Sequence, residues 1–174
     1  MDPMRAFLTE ENILIHKEYM RILRLRHSIM EKSIPEIKNK NALQIEKMRI
    51  SASCKEEILA NYREYLAHEL YFKSFSEKSK IPDIIKKHYS SCEAFLYEVY
   101  LASMREKHGF IFVFLGARGI PEILHSEEAR KRKDIPKLAL DISEHAYFLD
   151  YRFEKEKYLR SAISNLNLIL LDNE

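Results

Sequence analysis

Apolar residues recur at three- and four-residue intervals through the first hundred positions, and that period is helical. Ile13, Met20, Leu23 and Met30 mark one face of a helix over 9–33, and Leu59, Tyr62, Leu66, Leu70 and Phe75 mark another over 55–76. The segment between them, 35–53, is polar and opens with Pro35, so it reads as the connection of a helical hairpin, with part of the second helix. Two shorter helical stretches follow within 83–107, split near 89–92, where Ser91 is placed to cap the second. The period changes at Gly109. FIFVFLG (110–116) is a β-branched and aromatic run, ARG (117–119) supplies a turn, and IPEILHS (120–126) is a second short strand. A charged loop, EEARKRKD (127–134), leads to a third strand at PKLALD (136–141), and 142–171 return to helix. The expected class is α+β: an N-terminal helical hairpin, then a C-terminal lobe of helices around a small three-stranded antiparallel sheet. The expected division is 1–80 and 81–174.

Composition narrows the function. The 174 residues are 46% hydrophobic and 32% charged, a globular balance. Lys+Arg number 29 against 27 Asp+Glu, a net charge of +2 that gives nucleic acid no electrostatic footprint. The run 127–134 is short and flanked by acids, a solvated loop rather than a phosphate-binding patch. With three glycines, Gly109, Gly116 and Gly119, glycine-rich phosphate loops are excluded. No apolar run reaches the roughly 18 residues of a membrane span. The first twenty residues have neither signal-peptide nor transit-peptide character, and Cys54 and Cys92 lack CxxC spacing. Free thiols and a cytoplasmic location are expected.

Two of the seven histidines lie on apolar faces. His16 belongs to the stripe Ile13–His16–Met20–Leu23, and His68 to Tyr65–His68–Phe72–Phe75. Either alone reads most simply as a core histidine bonded to a carbonyl. A buried imidazole has a desolvation cost that a metal offsets, so two on facing helices shift the balance. In LALDISEHAYFLDY (138–151), Asp141 ends the predicted strand and His145 follows four residues on. Asp141 as an N-cap with Glu144 at N3 is the local alternative, and it leaves His145 unexplained. As chelators, three His and one Asp suit a first-row metal such as Mn, Fe or Zn. No HExxH motif exists, and Glu122–His125, the one Glu-x-x-His pair, falls in strand sequence.

LALDISEHAYFLDYRFEKEKYLRSAISNLN (138–167) resembles the C-terminal signature of the iron/manganese superoxide dismutases, an Asp, then Glu-His-Ala-Tyr, then Tyr-Leu and an Asn-rich end. IKKHYSSCEAFLYEV (85–99) resembles the family's helix pair, and HGFIFVFL (108–115) its first strand. AHELYFKSF (67–75) and ILIHKEY (13–19) resemble its second- and first-ligand motifs. The resemblance implies one Mn or Fe per chain, manganese first, on His16, His68, Asp141 and His145. With one solvent molecule these complete a trigonal-bipyramidal site. It implies redox cycling of that ion with superoxide as substrate and dioxygen and hydrogen peroxide as products. It also implies a homodimer in which Glu144 meets His145 of the partner subunit.

The departures fall around the metal. Phe72, Phe110 and Ser143 stand where the family has tryptophans, Arg24 where it has its gateway tyrosine, and Met20 and Phe148 where it has a polar pair across the interface. Its outer-sphere glutamine is replaced by Glu64 at one position and by His125 or Ser126 near the other. Glu64, His125 and Arg24 are therefore the candidate catalytic residues, with solvated helix charges as the plainer reading of Glu64 and Arg24. A neutral His125 is the nearer substitute for an amide, so His125→Ala is expected to harm dismutation more than Glu64→Ala. The alternative function is a metal-stabilised structural or interaction protein that kept the fold and lost turnover.

Overall fold

The computed structural model describes residues 2–76 and 80–172. It is an α+β fold in which a helical hairpin precedes a lobe built on three antiparallel strands. Helix α1 (Glu10–Ser33) starts at Thr9, whose side chain accepts from the Asn12 N–H. Asp150 receives both the N–H and the hydroxyl of Thr9, at 2.9 and 2.6 Å. Helix α3 (Ala52–Lys73) returns antiparallel to α1, with Ser51 as its cap and Asn61 Nδ2 donating to the Leu23 carbonyl at 3.1 Å. The expected connection at 35–53 is more than a linker. Pro35–Ile37 forms a 3-10 turn and α2 (Ala42–Glu46) opens with a reciprocal Asn41–Gln44 capping box. Sparse but well-placed Ile37 and Ile45 fold this segment onto Ile58 and Leu59 as a separate small core. Leu66, assigned above to the inner stripe, is 40% exposed.

Helices α4 (Asp83–His88) and α5 (Cys92–Arg105) follow, and Ser91 caps α5 through the Ala94 N–H at 3.1 Å. The sheet order is β2–β1–β3, from β1 (Phe110–Leu115), β2 (Pro121–His125) and β3 (Leu138–Asp141). Register pairs Phe110 with Asp141 and Ile111 with both His125 and Leu140. Every residue of β3 is buried. Ser74, ending α3, pins that strand by accepting from the Ala139 N–H at 2.8 Å. Part of the predicted charged loop is helical, as α6 (Ser126–Ala129), and beyond it Arg132 pairs with Glu122 and Asp134. The last helical region divides into α7 (Glu144–Tyr151) and α8 (Lys155–Ile163), broken where Arg152 takes φ 53°, with a final 3-10 turn at Leu168–Leu171.

The main core runs from Met4, Phe7 and Ile13 through Tyr71 and Phe75 to the sheet and to Tyr158 and Leu171. It therefore draws on residues on both sides of position 80. Cys54 and Cys92 are free thiols, and among the described residues no helix is long and apolar enough to cross a membrane.

Candidate metal centre

Four elements converge below the base of the hairpin. His16 lies on α1, His68 on α3, Asp141 at the end of β3 and His145 at the second position of α7. His16, His68 and Asp141 are 1%, 0% and 0% exposed, an unusual depth for three ionisable groups. His145 differs, its side chain being 45% exposed.

Local bonds fix which ring atom each buried histidine presents. His16 Nδ1 lies 3.2 Å from the Asn12 carbonyl and 3.1 Å from its side-chain oxygen. His68 Nδ1 lies 2.9 Å from the Glu64 carbonyl. With Nδ1–H donated in both rings, each Nε2 carries a free lone pair toward the centre. Those atoms stand 3.9 Å (His16) and 3.6 Å (His68) from Asp141 Oδ2, and His145 Nε2 stands 2.9 Å from the same oxygen. The ring centroids of the three histidines are 5.5–6.2 Å apart. Asp141 Oδ1 is held away, accepting from the Ser143 N–H at 2.9 Å.

Among the described residues, His16 Nε2, His68 Nε2 and Asp141 Oδ2 are all buried without a hydrogen-bond partner. Even the 2.9 Å approach of His145 to Asp141 lacks hydrogen-bond alignment. Donor atoms this close that make no hydrogen bond to one another are suited to share one ion. Ligating atoms of His16, Asp141 and His145 all fall within 4.8 Å of each other, and His68 Nε2 closes the group from α3. Three imidazole nitrogens and one carboxylate oxygen fit a first-row divalent or trivalent ion, which would satisfy these three orphaned atoms together.

The electrostatics agree with that fit. Burial pushes the Asp141 carboxyl upward, but the neighbouring His145 and His16 outweigh it and hold it well below the usual carboxylate range. Burial pulls the His68 pKa down, which keeps the ring neutral and able to ligate. Burial acts on His145 in the same sense, yet the Asp141 carboxylate reverses it and the net shift is upward.

Aromatic rings exclude water around the cluster. Phe110 stands 5.0 Å from His68, and Phe72 stands 6.3 Å from His16. Ser143, the third position noted in the sequence, instead bonds Gly109 through its hydroxyl, accepting from the N–H at 2.9 Å. Tyr19, not singled out in the sequence, faces the rings of His68 at 5.1 Å and His145 at 5.6 Å. Its position three residues after His16 was the available signal. Tyr71 lies 5.6 Å from His16 and is hydroxyl-bonded to Tyr158 at 3.0 Å, while Tyr158 donates to the Asp141 carbonyl at 2.7 Å.

The three candidate catalytic residues separate. Glu64 Oε1 is 3.8 Å from His68 Nδ1, and burial, reinforced by the Asp141 charge, raises its carboxyl pKa. His125 turns Nε2 to the His108 carbonyl at 2.9 Å and Nδ1 toward Glu106 at 3.9 Å. Arg24 is exposed on α1, and its charge opposes the burial that raises the Tyr65 phenol. Glu144 is exposed beside His145.

Among known proteins, no curated sequence matches this chain. Residues 77–172, more than half of it, match the family model described as iron/manganese superoxide dismutases, C-terminal domain. That match spans the strand and helix that present Asp141 and His145, while the two remaining donors come from the preceding hairpin. On the strength of the match and of a donor set suited to such an ion, the chain belongs to the iron/manganese superoxide dismutase family.

Proposed function

We propose that the chain is a superoxide dismutase using one Mn or Fe ion, manganese ahead of iron, held by His16, His68, Asp141 and His145. The single observation behind this reading is the set of three buried, unpartnered donor atoms, with His16 Nε2 and His68 Nε2 within 3.9 Å of Asp141 Oδ2. In domain terms, 1–80 supplies the two hairpin histidines and 81–174 supplies Asp141 and His145. When bound, the ion supplies one-electron exchange with superoxide, which yields dioxygen in one half-reaction and hydrogen peroxide in the other.

The residues around it divide the remaining work. Asn12 and the Glu64 carbonyl hold the His16 and His68 rings with Nε2 forward. Ser143 N–H occupies Asp141 Oδ1, leaving Oδ2 for the site. Phe72 and Phe110 keep bulk water off the imidazoles. Glu64, 3.8 Å from His68 Nδ1, and Tyr19, facing His68 and His145, are proton-bearing groups beside the site. We place Glu64 ahead of His125 in tuning the site, because the His125 nitrogens face His108 and Glu106. Arg24 attracts the anion over the surface. The exposed side of His145 is where Glu144 of the partner subunit would sit in a homodimer. A reducing, cytoplasmic setting agrees with the two free thiols.

Metal analysis of the purified full chain combined with a superoxide-consumption assay tests this. Close to one Mn or Fe per chain with activity that follows metal content is the expected result. Full metal content without superoxide consumption would favour the non-catalytic, metal-stabilised reading, and protein that takes up neither ion would end both.

A further inference from the structure

A cavity of about 420 Å³ opens beside the tip of the hairpin, toward the lower end of the size range of small-molecule sites. His27 and Glu31 line it from the later turns of α1, Tyr62 from α3, and Lys40, Asn41 and Gln44 from the chain around the start of α2. His27 follows His16 by eleven residues, about 16 Å along α1 at the usual helical rise, and the cavity shares no residue with the metal centre. Asn39 takes φ 58°, a left-handed turn that short polar side chains tolerate, and the turned chain sets Lys40 on the same cavity as Glu31.

The polar groups around this cavity are left unpaired. Elsewhere on α1, α3 and α8 opposite charges close on each other, as in Arg21–Glu18, Arg63–Glu46 and Arg160–Glu156 at 2.5–2.8 Å. Lys40 and Glu31 do not. Among the described residues the Lys40 side chain has no partner, and Glu31 has only His27 Nε2 at 3.9 Å, beyond hydrogen-bond range. The capping box engages the side-chain oxygens of Asn41 and Gln44, at 3.0 and 2.9 Å, so each amide keeps its NH2 group to donate. His27 Nδ1 is buried without a partner, and its ring lies 5.3 Å from that of Tyr62.

An ammonium and two amide NH2 groups suit a carboxylate, and the Glu31 carboxylate suits an ammonium. A simple anion would satisfy Lys40 and meet Glu31 as a like charge, and a simple cation would do the reverse. A ligand carrying both charges satisfies both. We propose that this cavity binds a free amino acid, its carboxylate on Lys40 and the Asn41 and Gln44 amides, its ammonium on Glu31, and its side chain against His27 and Tyr62.

Calorimetric titration of the full chain with each common protein amino acid in turn is the test. At least one is expected to bind with a Kd of about 1 mM or tighter. For the tightest, the matching carboxylic acid without the ammonium and the matching amine without the carboxylate are each expected to bind at least about tenfold more weakly. Lys40→Met and Glu31→Gln alter partly exposed side chains, so both variants are expected to keep their helical circular dichroism, thermal midpoint and metal content. Each is expected to weaken amino-acid binding about tenfold. Absence of binding by every amino acid at roughly 10 mM would overturn the proposal. So would a carboxylic acid or an amine that binds as tightly as the whole amino acid, which would show a site for one charge only. Unchanged affinity in either variant would place the ligand elsewhere and refute the assignment too.

Discussion

At the tip of the hairpin, Ile37, Ile45, Ile58 and Leu59 close a small core that asks nothing further of its surroundings. At its base the same two helices set His16 and His68 beside Asp141, with buried polar atoms that no described group satisfies. Both regions are equally dry, so burial alone does not separate them. The tip gains from every methylene it removes from water, whereas the base bears the desolvation of two imidazoles and a carboxylate. A fold that tolerates such a base has a reason to keep it, and an ion that ligates all three groups turns the cost into a binding site.

The largest effect should therefore come from the ion. Supplying Mn or Fe at about 1,000 times its Kd should stabilise the apo chain by about 4 kcal/mol. The expected readout is an upward shift of the thermal midpoint that Asp141→Ala abolishes. An unshifted wild-type midpoint would break the comparison at once. Next in size is the tip. Ile58→Ala, at a site 1% exposed, should cost about 3 kcal/mol in denaturant unfolding while leaving the metal content per chain unchanged. Loss of metal in that variant would show that the two ends of the hairpin are one cooperative unit rather than two.

How legible each region was follows from the same contrast. His16 and His68 stand out because polar residues on an apolar face violate the helical pattern, and Asp141 and His145 join them as proposed ligands from spacing together with the family signature. The tip was missed because two isoleucines among charged residues do not make a period, and their burial depends on a capping box and a 3-10 turn that tertiary packing selects. Tyr19 closes the first-ligand motif ILIHKEY, where nothing singles it out, and His125 shows the opposite contrast. Motif position placed it near the glutamine site, while the β1–β2 register turns its ring to the His108 carbonyl.

A third test sharpens how the base is braced. Tyr158 is fully buried, and its hydroxyl links Tyr71 to the Asp141 carbonyl. Tyr158→Phe keeps the ring and removes only that link, leaving the Tyr71 hydroxyl short of a partner. The expected cost is about 2 kcal/mol in unfolding free energy. Because the lost bond holds the backbone of a proposed ligand, metal retention against a chelator should weaken too. Unaltered retention would mean that Asp141 is fixed by Ser143 and Ser74 without help from the tyrosines.

The smallest effect tests the ground between the two regions. Glu64 lies on α3 one turn from His68 on the side toward the tip, where the core gives way to solvent. Its carbonyl orients His68 and survives any side-chain change, so Glu64→Ala should leave metal content and fold intact. What it removes is a partly buried carboxyl 3.8 Å from His68 Nδ1. The dismutation rate should fall about tenfold, equivalent to about 1.4 kcal/mol of barrier. His125→Ala removes a ring bonded to the His108 carbonyl and should lower the rate less. The reverse order would show that His125 moves toward the ligands once the ion is bound, and that the sequence position was the better guide than the ring's hydrogen bond. Equal rates in wild type and both variants would turn attention to Tyr19, which faces both His68 and His145, and Tyr19→Phe would then be the variant that decides.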